Sequence, residues 1–288
     1  EVHRYETRGG IDVECSVEPV AGAAALAALT AELDAHRGVL LASSYEYPGR
    51  YTRWDMGFVD PALVLVARGR SVAIEALNAR GVVLLPPIAR ALTDLAAIAS
   101  FEGGETSLRC SVREPEGRFP EEERSRQPSV FSVLRALVDL FGSEADPHLG
   151  LYGAFGYDLA LQFEPLRLRL ERPARQRDLV LYLPDELLLV DHRREVATRR
   201  RYVFRSDGAG THGLPRTGAA TPYTGRAEVE RASDHAPGEY AGVVRGAKDS
   251  FRRGDLFEVV PGQTFFESAL DSPATVFGRL RRRNPAPY

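Results

Sequence analysis

Apolar positions along this chain switch between two spacings, and the switches mark the elements. Ala21–His36 is rich in alanine and leucine and stops at Gly38, which predicts a helix. Val39–Tyr45 follows as a strand. Pro61–Ala67 and Ser71–Leu77 are apolar, β-branched runs separated by Arg68-Gly69-Arg70, which predicts a hairpin. Gly81–Pro87 is a further apolar run that two prolines stop, and Ile88–Ser100 reads as a helix behind it. Thr106–Arg113 returns to strand alternation. Pro115–Pro128 is charged and broken by proline, a surface loop. Val130, Val133, Leu134, Leu137, Val138 and Phe141 fall three and four apart, which predicts an amphipathic helix over Val130–Phe141.

The second half reads in the same way. Leu149–Phe155 is a strand edged with glycine. Leu179–Val190 and Val196–Arg205 pair as an antiparallel hairpin around Asp191–Arg194, the second of them half exposed. Ser206–Thr224 is rich in Gly, Ala, Thr and Pro and predicts a mobile linker. Pro237–Arg253 is a helix with Tyr240, Val243, Val244, Ala247 and Phe251 as its buried stripe, and Leu256–Val260 enters a strand. Ser272-Pro273 caps a last helix that runs to Arg283, where Asn284-Pro285 stops it. Antiparallel strand runs with helices between them predict an α+β fold, a layered sandwich of largely antiparallel sheets. The chain stops just after that last helix and begins with Glu1 rather than Met, so a piece of a longer protein is expected.

Composition narrows the function classes. The 288 residues are 44 % hydrophobic and 27 % charged, ordinary for a soluble globular chain. The net charge is −3 with both signs interspersed, which speaks against nucleic acid as a partner. The short runs Arg199–Arg201 and Arg281–Arg283 read as solvated strand and helix ends. No apolar run reaches the roughly 18 residues of a membrane span. Cys15 and Cys110 are far apart and read as reduced thiols of a cytoplasmic protein. The six histidines never fall at ligand spacing, so no metal site is expected within the chain. Phosphate-loop, dinucleotide and nucleophile-elbow motifs are missing.

The densest stretch chemically is Gly38–Asp55. An apolar run meets the pair Ser43-Ser44, then an aromatic turn, then Gly49-Arg50-Tyr51-Thr52-Arg53 and the only tryptophan, Trp54. A core strand needs no such density of aromatics, arginines and hydroxyls, so the stretch predicts a ligand-lining loop. Taken singly its parts are bland. Leu40-Leu41-Ala42-Ser43 is an ordinary strand end, and Arg50 is either an exposed turn arginine or a clamp for a carboxylate.

Four blocks in this order resemble the first component of anthranilate synthases, within the chorismate-utilising enzyme family. They are Leu40-Leu41-Ala42-Ser43 with Gly49-Arg50-Tyr51-Thr52; Gly150-Leu-Tyr-Gly-Ala-Phe-Gly-Tyr-Asp158 with Phe163-Glu164; Lys248 through Gly254-Asp255-Leu-Phe-Glu-Val-Val-Pro261; and Asn284-Pro-Ala-Pro-Tyr288. The wording of Tyr45–Asp55 is most similar to single-chain versions fused to their glutaminase. The resemblance implies a synthase that turns chorismate and ammonia into anthranilate and pyruvate in tryptophan biosynthesis, with Mg2+. Ammonia would come from a glutamine amidotransferase domain or subunit, and the assembly would be an oligomer. Tryptophan would inhibit by binding between the first and last blocks, at Leu41, Ser43, Arg50, Asn284, Pro285, Pro287 and Tyr288.

Residue chemistry is compatible with such a pocket. Ser43 offers a hydroxyl, Leu41 and the prolines offer apolar wall, and the prolines stiffen the segment that presents Tyr288. The implied organisation is a regulatory region over 1–205, a flexible linker over 206–236, and the start of the chorismate-binding region over 237–288. Two departures stand out. Ala42 sits where many family members carry Glu, so a side-chain contact to the effector is lost. Glu258 sits where water-using relatives carry lysine, and reads either as a site-shaping residue or as a strand-surface acid. The magnesium ligands are expected beyond residue 288, so these residues alone are expected to be inactive. Two alternatives remain: the same part of an aminodeoxyisochorismate synthase of phenazine type, and a non-catalytic tryptophan-binding module.

Overall fold

The structure, a computed structural model, describes residues 1–43, 53–117, 119–164, 166, 168, 171–225, 228–229 and 231–286, with Glu121 and Ser125 described by backbone only. In chain order the elements are β1 (Val2–Glu6), β2 (Asp12–Pro19), α1 (Gly22–Glu32), β3 (Gly38–Ala42), β4 (Trp54–Val59), β5 (Leu63–Arg68), β6 (Ser71–Ala76), α2 (Ala79–Thr93), β7 (Ile98–Gly103), β8 (Ser107–Val112) and α3 (Val130–Phe141). Then follow β9 (Tyr152–Phe155), β10 (Leu179–Leu183), β11 (Glu186–Asp191), β12 (Val196–Ser206), β13 (Ala209–Gly210), α4 (Glu239–Arg253) and α5 (Pro273–Arg283). Two compact units emerge: residues 1–222 with 280–288, and residues 223–279.

The first unit is an α+β layered sandwich of two antiparallel sheets. One has the order β1-β2-β12-β11-β4-β3, with β13 beside β12; the other runs β7-β8-β6-β5-β10-β9. Alternation along β11 shows why two layers form. Leu188 and Val190 point to α1 and pack with Leu29, whereas Leu187 and Leu189 point the other way and pack with Phe58, Tyr152 and Tyr182. Gly57 of β4 makes room for α1, because a Cβ there would lie 2.9 Å from the Leu29 side chain. The largest core joins α2 and α3 to β2, β12 and the second sheet, through Leu84, Ile88, Leu92, Val133, Leu137 and Phe204 among others.

Helix α3 has the predicted bounds, and the hairpin β5–β6 pairs Ala67 with Val72 around Gly69. Helix α2 departs from the expectation. It starts at Ala79 and runs through Pro86 and Pro87, and Ile98 already belongs to β7. The Asn78 side chain caps it by accepting from the N–H groups of Arg80 and Gly81. A proline inside a helix costs about 3 kcal/mol. The buried run Leu84, Leu85, Pro87, Ile88 and Leu92, all on one helical face, outweighs it.

Leu179–Val190 is not one strand but two, in different sheets. The chain breaks at Pro184-Asp185, where Pro184 has no N–H for a ladder and Asp185 is buried against arginine. The stretch 206–236 opens with fixed backbone. β13 pairs with β12, and Thr211 is fully buried, its hydroxyl oxygen accepting from the Phe204 N–H at 2.9 Å.

The second unit, by itself, is thinly packed. No residue of α4 is buried, and Val243 and Phe251 of its expected inner stripe are exposed. Leu256–Val260 forms no strand, and Phe257 and Val260 lie open to solvent. Strands need a neighbouring ladder, and the described residues of this unit show isolated bridges, such as that between Ser233 and Phe265, rather than a ladder. No helix among the described residues is long and apolar enough to cross a membrane.

Candidate functional site

The first proposed wall is the end of β3 and the residue after it. β3 lies at the edge of its sheet, paired to β4 so that Leu41 faces Met56 and Ala42 faces Asp55 in register. Leu41 is 40 % exposed, an apolar surface at a sheet edge, while Ser43 is buried. The Ser43 N–H donates to Asp55 Oδ1 at 2.8 Å. Arg50, with the rest of 44–52, falls outside the described residues. Where the chain is described again, the Arg53 guanidinium sits 4.6 Å from the Trp54 ring centroid and pairs with Asp191 at 3.1 Å. The Trp54 ring meets the edge of His148 at 6.0 Å. Burial, then the neighbouring Arg200, holds the His148 imidazole below its usual range, so it sits behind Trp54 as a neutral ring.

The second proposed wall is the end of α5. The Asn284 N–H donates to the Leu280 carbonyl at 2.8 Å and closes the helix. Asn284 and Pro285 are both exposed; Pro287 and Tyr288 fall outside the described residues. One turn before Asn284, Arg281 Nη2 reaches Asp55 Oδ2 at 2.9 Å. The structure therefore ties Ser43 and the helix end that carries Asn284 and Pro285 to one carboxylate.

Asp55 is 1 % exposed. Its third partner is His192 Nε2 at 3.1 Å. His192 is presented by a turn that Asp191 holds, its Oδ1 accepting from the N–H groups of Arg193 and Arg194. Burial opposes the charge on Asp191, but the Arg53 side chain and those two N–H groups outweigh it, and its carboxyl stays below the usual carboxylate range. Both Asp55 oxygens are taken by donors, so Asp55 is a structural node and not a free base. Around it lie an apolar edge residue, a buried serine and an exposed Asn-Pro pair, a set suited to binding rather than bond-making.

Asp55, His192 and Arg281 were not legible as site residues in the sequence. Arg281 reads there as a solvated helix end, yet it pairs with a buried carboxylate; an acid inside the otherwise apolar β4 was the available signal. Similarly Arg200, in the other arginine run, pairs with buried Asp146 at 3.0 Å.

The remaining blocks sit elsewhere. Gly150–Asp158 supplies edge strand β9, where a Cβ on Gly153 would lie 2.1 Å from the Val180 carbonyl oxygen, so the glycine serves close packing. Asp158 and Asp178 hold Arg172 at the rim of a cavity of about 600 Å³ also lined by Arg70, Gln127 and Gln162. Lys248 and Glu258 are exposed residues of the second unit. Among the described residues no group of three or more His, Cys, Asp or Glu side chains converges to hold a metal ion. The described residues therefore do not fit a magnesium site.

Comparison with known proteins places the chain in a family. The model of the family described as chorismate binding enzyme matches residues 97–288, and so begins well before the linker. An anthranilate synthase of Azospirillum brasilense is 53 % identical over 285 residues, which is 99 % of this chain and 39 % of that protein. Anthranilate synthase component 1 of Serratia marcescens is 30 % identical over 279 residues, covering 88 % of this chain and 50 % of its own length. A pyocyanine-specific anthranilate synthase component 1 of Pseudomonas aeruginosa is 28 % identical over 262 residues. The chain thus spans half or less of the length of the relatives in whose company it falls. With two thirds of its residues inside the family match, the chain belongs to the chorismate binding enzymes.

Proposed function

We propose that these residues are the effector-sensing part of an anthranilate synthase. The whole protein would convert chorismate and ammonia to anthranilate and pyruvate, with ammonia drawn from glutamine by an amidotransferase domain or subunit and Mg2+ supplied as cofactor. Tryptophan would bind between Leu41–Ser43 and Asn284–Tyr288 and inhibit. The observation that carries the reading is the convergence of Ser43 and the Asn284 helix end on Asp55. The similarity to the Azospirillum brasilense enzyme over 99 % of this chain supports the choice of reaction.

In this reading residues 1–205 regulate, and the chain from 237 begins the chorismate-binding region. In this reading the 288 residues are inert alone, and among the described residues no carboxylate set converges to hold a metal ion. Chorismate, ammonia and magnesium added to the purified chain should give no anthranilate fluorescence above the blank. Fluorescence that rises with chain concentration contradicts this. Saturable calorimetric binding of L-tryptophan, with no response to L-phenylalanine, tests the effector assignment. The alternative of a phenazine-type sister enzyme rests on Ala42, which removes a side-chain contact to the effector. It predicts no tryptophan binding at all.

A further inference from the structure

We propose that Asp55 and Arg281 act as positioning residues that couple the two walls of the effector site into one body. The proposal rests on the effector reading above, and adds how the walls communicate. Asp55 lies on β4 directly opposite Ala42, at a position where the strand turns its side chain inward to 1 % exposure. A carboxylate is costly there unless it is fully paired. Its pairing comes from three segments distant in sequence: the Ser43 N–H at 2.8 Å, Arg281 Nη2 at 2.9 Å and His192 Nε2 at 3.1 Å.

The geometry gives each contact a separate consequence. The bond to Ser43 fixes the peptide plane just after β3, and with it the direction in which the chain leaves Leu41 and Ala42. The bond to Arg281 fixes the last turn of α5, and with it the exit of Asn284 and Pro285. Because one carboxylate makes both bonds, a shift of either wall strains the other. Such a shared, buried node is a physical route for coupling between two segments that need not touch. It also offers a reason why a pocket with Ala42 could keep its shape. The wall is held by the backbone of Ser43 and a carboxylate behind it, not by the side chain at position 42.

Four chains test this: the parent, Asp55→Asn, Arg281→Met and the double variant, with Arg281→Lys as the charge-conserving control. Calorimetry with L-tryptophan should show each single change weakening binding by about tenfold, within the usual 5- to 150-fold range of coupling. The double variant should bind no more weakly than the worse single, because the two residues act through one contact. Arg281→Lys should recover part of the loss. Folded single variants that bind within about twofold of the parent would overturn the proposal.

Amide exchange without tryptophan separates this proposal from the effector reading. In Arg281→Met, protection at the Ser43 amide and at the Asn284 amide should fall together. If the parent binds no tryptophan, the effector reading fails, and the exchange result alone decides the coupling. Loss of protection at 284 with Ser43 unchanged overturns it. The double variant, which leaves no unpaired buried charge, keeps the test available if Arg281→Met does not fold.

Discussion

Arg80 in the first turn of α2 and Asp185 in the break between β10 and β11 form an ion pair in which the side chains are 1 % and 2 % exposed. Arg80 also donates to the carbonyls of Thr211 at 2.6 Å and Tyr202 at 2.5 Å. One guanidinium thereby joins the start of a helix, the crossing between the two sheets, a strand of the first sheet and the segment after it. Removing one partner of such a pair leaves a buried charge and costs about 3–5 kcal/mol. Arg80→Met should lower the urea midpoint accordingly with an unchanged slope, and Arg80→Met with Asp185→Leu should recover most of the loss. Unchanged midpoints in the single variant would show that the pair holds nothing.

Gly81 follows Arg80 and decides a contest between helix propensity and space. Alanine is favoured over glycine in a helix by about 1 kcal/mol. A Cβ at this position would lie 2.1 Å from the Ala62 carbonyl oxygen, a backbone atom that cannot swing aside. Overpacking of this kind costs about 1–3 kcal/mol, so Gly81→Ala should destabilise despite its better propensity. Thermal melting of the variant checks the sign.

Pro86 is the exposed member of the proline pair inside α2. Replacing it restores a helical N–H and removes a ring that crowds the preceding turn, against a gain in unfolded-chain entropy of about 0.4–1 kcal/mol. Pro86→Ala should therefore stabilise by about 2 kcal/mol. Pro87→Ala should gain less or lose, because Pro87 is buried against the core.

The two thiols give a pH dependence. Burial pushes Cys15, at 0 % exposure, up to about 11, with nearby Asp146 adding to the effect; burial alone does the same for Cys110. An unfolded thiol loses its proton from an ordinary value near 9. The folded state therefore favours the protonated form. Its contribution is complete below about pH 9 and is lost as pH rises through about 11, by up to about 2–3 kcal/mol per thiol. Stability should fall across that window, and the Cys15→Ala and Cys110→Ala variants should flatten the fall. Neither thiol should react with a thiol reagent at neutral pH until the chain unfolds.

Local pattern made part of this legible. The three-and-four spacing of Val130–Phe141 gave α3 its bounds, and Arg68-Gly69-Arg70 gave the β5–β6 turn, because both elements are specified by neighbours in sequence. Helix α2 was not legible, since Pro86 and Pro87 argue locally against a helix that only the core around Leu84 and Ile88 sustains. The split of Leu179–Val190 between two sheets depends on Arg80, a hundred residues away in sequence. Leu256–Val260 has strand composition, but the described residues of its unit offer it no neighbouring ladder.

At the candidate site, the ordered blocks pointed to Ser43 and Asn284 through family wording. They did not point to Asp55, whose role depends on a guanidinium at position 281 and a ring at 192. Nothing in the spacing of a chain so rich in arginine marks one of them as the partner of a buried acid.

The central claim is that Ser43 and the Asn284 helix end line one tryptophan site. A calorimetric titration of L-tryptophan into the chain tests it most directly, run beside Ser43→Ala and Asn284→Ala. The account predicts one saturable site in the parent, markedly weakened by both changes. A parent that binds no tryptophan, or binds it as tightly after both changes as before, would contradict it.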